Sequence, residues 1–142
     1  MKPYTPWTAA LGRLLIAVIF LVSGFGKIAA PAMTQGYIAA AGLPAPALAY
    51  LVAIVIEVGG GVLLVVGFQT RLVALIMAVF SVAAAVGFHH DFADQNQMIH
   101  FLKNVAMAGG LLQVVAFGAG AFSLDGRRAR AGEQTATPSY ST

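Results

Sequence analysis

Glu57 is the side chain of this sequence whose position points most directly to chemistry. It stands inside the apolar stretch AIVIEVGGGVLL, residues 53–64. A carboxylate at the centre of a bilayer costs about 2.5–3.5 kcal/mol on insertion scales, so Glu57 should face the interior of a helix bundle and be neutralised by a proton or a partner. Ser81 and Gln113 are expected at similar depth and would form a polar layer around it, for proton handling or ligand binding. The alternative is a protonated Glu57 that serves only as a hydrogen-bond donor between helices.

A second polar group is predicted nearer to one end of the same bundle. Ser23 and Lys27 end the first apolar segment, while Lys103 and Asn104 begin the fourth. At 1.5 Å per residue, Glu57 lies roughly 15 Å below the end of its helix and the lysines within about 5 Å of theirs, so direct contact would need a long reach or a kinked helix. One interpretation is that both lysines extend to lipid headgroups. The other is a basic lip that receives the polar head of a lipid-soluble ligand such as a quinone.

A third polar group carries residue types that bind metals. His89, His90 and His100 share the segment HHDFADQNQMIH with Asp91 and Asp94. Adjacent histidines point apart, and no pair in this segment fits the spacing of a helical metal motif. A solvated loop without a metal is therefore predicted. The alternatives are a weak metal site at the three histidines or a loop that responds to pH.

The composition determines the environment in which these groups act. Of the 142 residues, 59% are hydrophobic and only 9% are charged, whereas a soluble domain carries roughly 25% charged residues. The chain therefore belongs in lipid. It contains no cysteine, which excludes disulfides, thiolate metal sites and cysteine nucleophiles. The net charge of +3 is better explained by membrane topology than by nucleic-acid binding.

Four apolar segments are long enough to cross a bilayer, which takes about 20 helical residues. They cover residues 8–28, 47–67, 72–88 and 101–122, and they are apolar on every face, as helices are and barrel strands are not. The predicted fold is an all-α integral membrane four-helix bundle over residues 1–125. A short helix at the membrane interface is expected within residues 29–46. Residues 126–142 are predicted to form a disordered cytoplasmic tail.

The basic residues predict the orientation of the bundle. With both termini in the cytoplasm, six basic residues lie inside and two outside: Lys2, Arg13, Arg71, Arg127, Arg128 and Arg130 against Lys27 and Lys103. This is the positive-inside bias expected of a membrane protein with short loops. Arg13 is interpreted as an anchor whose side chain extends to the headgroups.

The three glycines Gly59, Gly60 and Gly61 follow Glu57 directly. Small residues let transmembrane helices approach closely. They also favour a loosened helix beside Glu57, with room for a ligand.

Several stretches together resemble the DoxX family of small four-helix membrane proteins. They are GRLLIAVIFLVSGFGKI (residues 12–28), GLP (42–44), IEVGGGVLLVVGFQTRL (56–72), KNVAMAGGLLQVVAFG (103–118) and SLD (123–125). The family's SGxGK motif then corresponds to Ser23, Gly24, Gly26 and Lys27, its ExGGG motif to Glu57 and the three glycines after it, and its KN motif to Lys103 and Asn104. The resemblance implies an association with quinone-linked oxidoreductases, such as thiosulfate:quinone oxidoreductase, and with partner proteins.

The leading hypothesis is a quinone-interacting subunit or anchor of an oxidoreductase system in the inner membrane. Glu57 would exchange protons with a quinone head group or hydrogen-bond to it, and Lys27, Lys103 and Asn104 would attract it. No covalently bound cofactor is expected, and the partners would be lipids, a redox protein or a second copy of the chain. The alternatives are a non-enzymatic assembly protein and a small proton-coupled carrier. Whether the chain itself catalyses a reaction stays open at this point.

Overall fold

The computed structural model describes residues 6–136, and Lys2 and residues 137–142 of the predicted tail lie outside this range. Six helices follow one another: α1 (Pro6–Ala29), α2 (Pro31–Ala40), α3 (Pro46–Val66), α4 (Thr70–Phe88), α5 (Gln95–Phe117) and α6 (Leu124–Ala136). Residues 6–136 contain no strand. Within this range α1, α3, α4 and α5 are long and apolar enough to cross a membrane. The all-α fold and the four spans are therefore confirmed.

The fourth span begins earlier than hydropathy indicated. It was expected at residues 101–122, whereas α5 covers Gln95–Phe117. Asp94 caps the start of α5, because its side chain accepts hydrogen bonds from the backbone N–H groups of Asn96, at 2.8 Å, and Gln97, at 3.1 Å. The helix ends at Gly118, whose φ of 79° favours glycine. Half of the predicted polar loop is thus the first part of a helix.

α3 is interrupted at its middle by a single π-helical turn. The helix is α-helical over Pro46–Ile54, π-helical over Val55–Gly59 and α-helical again over Gly60–Val66. Glu57 lies at the centre of the π turn. Such turns widen the helix by one residue and are frequent at functional sites. The expectation of a loosened helix beside Glu57 agrees with this turn.

Small residues let the four spans pack closely around an apolar core. The core consists of Ala17, Phe20, Leu64, Val73, Ala74, Met77, Ala78, Ala108 and Leu111. Gly60 and Gly61 mark two of the closest approaches, because a Cβ added to Gly60 would lie 2.9 Å from the Met77 sulfur and one added to Gly61 would lie 2.8 Å from Leu21. Side chains that pack this closely against glycines contribute to the association of helices in lipid. The short helix α2, as predicted between the first two spans, packs against α3.

Arg13 is buried, and the interpretation of this residue as a headgroup anchor is wrong. Only 2% of Arg13 is exposed. Its Nη1 donates to the carbonyl oxygens of Leu64, at 2.8 Å, and Val65, at 3.2 Å, and its Nη2 donates to that of Phe122, at 2.6 Å. The last carbonyls of a helix have no intrahelical donor, and the planar guanidinium fork can serve several at once. Arg13 therefore joins α1 to the end of α3 and to the loop before α6.

The chain after residue 123 folds into a helix where a disordered tail was predicted. The predicted boundary at residue 126 falls inside α6, and the part of the tail beyond residue 136 lies outside the described residues. The Ser123 hydroxyl oxygen accepts a hydrogen bond from the Gly126 N–H at 2.9 Å, which caps the first turn. Asp125 then caps the neighbouring α4, accepting from the Gln69 N–H at 3.0 Å and from the Thr70 N–H and hydroxyl at 2.8 and 2.7 Å. These contacts dock the start of α6 against the α3–α4 turn.

Asp125→Ala is expected to lower the free energy of unfolding by about 1–2 kcal/mol at neutral pH, since it removes a helix cap. Burial acts to raise the pKa of Asp125, but the hydrogen bonds from Thr70 and Gln69 and the charge of Arg128 outweigh it and hold the pKa below the ordinary value of 3.8. The ionised form is thus favoured in the folded state, and its stabilisation is present above the ordinary pKa and lost as the pH falls through the lowered one.

Thermal unfolding of wild type and Asp125→Ala in detergent, followed from pH 7 into the acid range, checks this prediction. The difference between the two should shrink once the pH falls below the ordinary pKa of an aspartate. A difference that grows on acidification would contradict the assigned role of Asp125.

Candidate functional site

Glu57 forms an ion pair with Lys27 in the interior of the bundle. Lys27 Nζ lies 2.9 Å from Glu57 Oε1 and 2.8 Å from Oε2, and it also donates to the Ser23 hydroxyl oxygen at 2.7 Å. The Ser23 hydroxyl in turn donates to Glu57 Oε1 at 3.2 Å. We call these three side chains the polar triad. The cation of Lys27, rather than a proton alone, is therefore the partner that a buried carboxylate requires.

The direct contact between Glu57 and Lys27 was thought to need a long reach, and helix geometry explains why it forms. Lys27 and Ser23 are one turn apart on α1, and helical side chains lean toward the N-terminus, so the lysine points inward along its helix. A Cβ added at Gly24 would lie 3.1 Å from Glu57 Cβ, so Glu57 is level with Gly24 of α1. Glu57 is therefore less than one turn below Lys27, a distance that the lysine side chain spans easily.

The triad is sheltered unevenly. The side chain of Glu57 is 7% exposed and that of Lys27 is 26% exposed. The carboxylate therefore depends on the lysine for neutralisation, whereas the lysine retains a route toward the end of the bundle.

Neither of the two residues expected beside Glu57 hydrogen-bonds to it. Ser81 is buried, but its hydroxyl donates to the Met77 carbonyl oxygen of its own helix at 2.8 Å. Gln113 is exposed on α5. The predicted polar layer of Glu57, Ser81 and Gln113 is therefore not joined by hydrogen bonds, because Gln113 lies on the exposed side of α5 and Ser81 bonds within its own helix. Serine in an apolar helix commonly bonds to the carbonyl one turn earlier, as Ser81 does.

Gly24 sets the approach of α1 to the π turn. A Cβ added there would lie 2.6 Å from Val58 Cγ2, closer than real contacts allow, and 3.1 Å from Glu57 Cβ, which is also tight. Gly26, on the same helix, has nothing within 4 Å of such a Cβ.

Gly24→Ala is expected to lower the free energy of unfolding by about 1–3 kcal/mol, because the added methyl group forces α1 and α3 apart at the triad. Gly26→Ala is the matched control and should be neutral or stabilising by up to about 1 kcal/mol, because alanine favours a helix. Equilibrium unfolding of both variants in mixed micelles compares them. Equal stability of the two would contradict the close approach at Gly24.

The triad borders a cavity of about 390 Å³. Its polar lining comprises Ser23, Lys27, Thr34, Glu57, His89, Lys103 and Asn104. Aromatic and aliphatic side chains make up most of the remaining wall, among them Phe20, Tyr37, Ile38, Phe80, Phe88 and Met107. Five of the predicted site residues, Ser23, Lys27, Glu57, Lys103 and Asn104, thus share one cavity. A volume of this size with few polar groups is typical of a small-molecule site.

Lys103 and Asn104 line the cavity from α5. Lys103 Nζ lies 3.1 Å from His100 Nδ1, and Asn104 Nδ2 donates to the His100 carbonyl oxygen at 3.0 Å. Asn104 is 9% exposed and Lys103 is exposed. Each side chain keeps hydrogen-bonding capacity beyond the contact it makes, since an amide has two N–H groups and an ammonium has three.

The histidines are arranged as an aromatic pair and not as a metal cluster. The rings of His89 and His100 stack with centroids 5.0 Å apart, and His89 Nδ1 lies 2.9 Å from Gln97 Oε1. His90 is exposed. Among residues 6–136, no three side chains of histidine, cysteine, aspartate or glutamate come together in a way that could hold a metal ion. The weaker alternative of a metal site at His89, His90 and His100 therefore finds no support in this geometry.

Sequence reasoning missed the contribution of α2 to the cavity. Tyr37 of α2 stacks on Phe88 of α4 with ring centroids 5.4 Å apart, and Ile38 is buried. The signal available was a tyrosine in a segment of otherwise small residues. This wall of the cavity is formed by packing between helices far apart in sequence, so no local pattern predicts it.

A second cavity, of about 370 Å³, lies at the opposite end of the bundle, beside Arg71 and Gly118. It contains Asp125, whose oxygens already accept the three hydrogen bonds that cap α4. We therefore assign it to the docking of α6.

Comparison with known proteins identifies the family. Residues 8–90 match the DoxX family, a stretch that contains all but the first two residues of α1, the helices α2 to α4 and the whole polar triad. The chain belongs to the DoxX family. It is 38% identical to inner membrane protein YqjF of Escherichia coli over 125 residues, 88% of this chain and 95% of that protein. It is also 38% identical to inner membrane protein YphA of the same organism over 128 residues, 86% of this chain and 91% of that protein.

No solved structure matches this DoxX-family chain. The two relatives are inner membrane proteins by name, and four helices of the described chain suit a membrane crossing. This DoxX-family chain is accordingly a multi-pass protein of the inner membrane. The orientation with both termini in the cytoplasm stays a prediction.

Proposed function

We propose that this DoxX-family protein is a quinone-interacting membrane subunit of an oxidoreductase system. The head group of a quinone or its reduced quinol would occupy the cavity beside the polar triad. The observation that carries the proposal is an ion pair between the buried Glu57 and the partly buried Lys27 at the edge of a largely apolar cavity of about 390 Å³. Ligand sites in membrane bundles combine apolar walls with a few convergent polar groups in this way.

The polar residues of the cavity have different roles, which depend on where each one lies. Glu57 can accept a hydrogen bond or a proton from a ring hydroxyl, and the adjacent Lys27 lies 2.8 Å from its carboxylate as a counterion. Lys103 and Asn104 can donate to a second ring oxygen. Electrons would come from or go to a partner redox protein, since this chain has no cysteine with which to hold an iron–sulfur cluster.

Direct binding to purified protein in lipid nanodiscs tests the proposal. The probe is a ubiquinone-type ring with a decyl tail, titrated in its oxidised form and, under anaerobic conditions, in its reduced form. Wild type should bind at least one form saturably. Glu57→Gln should weaken that binding by roughly tenfold or more, the size of a hydrogen bond to a charged group. Lys103→Ala should weaken it by about two- to fivefold, because this lysine is exposed and screened.

Gln113→Ala provides the matched control, because Gln113 is exposed on α5 and does not line the cavity. It should bind as wild type does. Absence of saturable binding of both forms to wild type would overturn the proposal. Unchanged binding in Glu57→Gln would show that the polar triad takes no part in binding the quinone.

A second candidate function follows from how completely the triad is satisfied. Lys27, Ser23 and Glu57 bond to one another and need no ligand to do so. A non-enzymatic assembly protein, with the ion pair only joining α1 to α3, would show the same geometry. Recovery of a stoichiometric partner from gently solubilised membranes, undiminished in Glu57→Gln, together with no quinone binding, would favour this candidate.

A further inference from the structure

We infer that the polar triad selects ligands whose head group donates a hydrogen bond, so that a phenolic hydroxyl is the preferred partner of Glu57. Within a quinone couple this favours the reduced quinol over the oxidised quinone. The inference rests on the proposed function, since it names the form of the ring that the same cavity takes.

The hydrogen-bond donors of the triad are the ammonium group of Lys27 and the hydroxyl group of Ser23. A lysine ammonium has three hydrogens. Those of Lys27 have three acceptors within 2.9 Å: the Ser23 hydroxyl oxygen and the two carboxylate oxygens of Glu57. The hydroxyl hydrogen of Ser23 is directed at Glu57 Oε1. Every hydrogen of the triad thus has a partner inside the triad.

The hydrogen-bond acceptors of the triad are the two carboxylate oxygens of Glu57 and the hydroxyl oxygen of Ser23. A carboxylate offers about four lone-pair positions, two on each oxygen. Glu57 Oε1 receives hydrogen bonds from Lys27 and Ser23, whereas Oε2 receives one from Lys27 alone. One position on Oε2 therefore stays open. The Ser23 oxygen likewise accepts one hydrogen bond and has room for a second.

The preference for a hydroxyl follows because the donors of the triad are all engaged, whereas some of its acceptor positions are open. A carbonyl or ether oxygen that approaches the triad finds every donor engaged, and it can gain one only by breaking one of the triad's own hydrogen bonds, which are 2.7–3.2 Å long. A hydroxyl can donate to Glu57 without any such loss, and a hydrogen bond to an ionised acceptor is roughly twice as strong as a neutral one.

The rest of the cavity is compatible with a ring that carries a second oxygen. Asn104 Nδ2 donates one hydrogen bond to the His100 carbonyl oxygen, and Lys103 directs one hydrogen toward His100 Nδ1. Both residues keep donors for an oxygen at the other end of the ring. The preference for a hydroxyl over a carbonyl therefore comes from the triad, because Lys103 and Asn104 on α5 can donate to either kind of oxygen.

A redox-inert pair of ligands tests this selection without interference from oxidation. The probes are 4-octylphenol, which has a hydroxyl donor, and 4-octylanisole, in which a methyl group replaces that hydrogen. Binding to protein in nanodiscs is measured against protein-free nanodiscs, so that partition into lipid is subtracted. Wild type should bind the phenol about tenfold or more tightly than the anisole, as expected for one charge-assisted hydrogen bond.

Ser23→Ala reverses part of the preference by design. Removal of the hydroxyl releases one Lys27 hydrogen, which can then donate to an ether or carbonyl oxygen. The affinity for the anisole should rise, and the ratio of phenol to anisole affinity should fall by about threefold or more. Ser81→Ala is the matched control, since that buried serine bonds only within α4 and does not line the cavity. Its ratio should equal that of wild type.

The outcomes separate this inference from the proposed function. Equal affinities of the two probes for wild type would overturn the hydroxyl preference and leave the ligand cavity standing. If wild type bound neither of the two probes nor the decyl quinone, that result would contradict both the proposed function and this inference. The wild-type ratio decides the matter even if Ser23→Ala does not fold.

Discussion

Replacement of Lys27 by methionine is expected to lower the free energy of unfolding by about 3 kcal/mol, near the lower end of the range for a broken buried ion pair. The variant leaves the carboxylate of Glu57, 7% exposed, with the Ser23 hydroxyl as its remaining partner in the triad. An uncompensated charge in a low-dielectric interior is costly because neither water nor a counterion solvates it. Equilibrium unfolding in mixed micelles, with helix content followed by circular dichroism, measures the loss.

The opposite replacement should cost less. In Glu57→Met the charge left behind is that of Lys27, whose side chain is 26% exposed and can extend toward the end of the bundle. A loss of about 1–2 kcal/mol is expected for this variant. The double variant carries neither charge, and it should recover to within about 1 kcal/mol of wild type, because an apolar pair can replace a buried ion pair without large cost.

Lys103→Met is the control for removal of a lysine, since this side chain is exposed and its one hydrogen bond among residues 6–136 is to His100. Its effect should stay within about 0.5 kcal/mol. Equal losses in Lys27→Met and Lys103→Met, or a double variant less stable than either single variant, would contradict the buried pair.

Arg13→Met is expected to lower the free energy of unfolding by about 3 kcal/mol, because about 1 kcal/mol or more is lost for each carbonyl left without a donor. Three carbonyls depend on this side chain, those of Leu64, Val65 and Phe122. The first two belong to the end of α3, and the third belongs to the loop that leads into α6. Loss of Arg13 should therefore also loosen α6, and hydrogen exchange at the start of that helix should quicken.

Arg13→Lys separates charge from shape. A single ammonium cannot match the planar fork that reaches both segments, so about half of the loss should remain. Arg127→Ala is the control, because Arg127 is exposed on α6, and it should change stability by no more than about 0.5 kcal/mol. A headgroup anchor at Arg13 would instead tolerate lysine fully, and that result would contradict the buried network.

The spans could be predicted from sequence because their cause is local. Lipid demands long apolar helices, and four segments meet that demand. The start of α5 was misplaced because hydropathy outweighed the cap at Asp94, although an aspartate before a helix was readable in the sequence. The interior position of Glu57 was also predictable, since a carboxylate in an apolar stretch has few other places to go.

The partners of these buried groups were less predictable, because they depend on how helices are rotated against one another. Ser23 and Lys27 are one turn apart on α1, so the sequence did place them on one face. Depth alone favoured Ser81 and Gln113 beside Glu57, and depth carries no information on which side of a helix a residue lies. Arg13 was misread for a related reason: its acceptors come from segments more than fifty residues away, and no local pattern announces them.

The central claim is that a hydroxyl-bearing ring enters the cavity beside Glu57, and site mapping by photo-crosslinking tests it most directly. The probe is an alkylphenol with a trifluoromethyl diazirine on its ring, irradiated with the protein in nanodiscs and located by mass spectrometry. Insertion is predicted at cavity residues such as Phe80 and Met107, and excess 4-octylphenol should abolish it. Insertion confined to outward-facing residues such as Leu15 and Val79, unaffected by that competitor, would contradict the account.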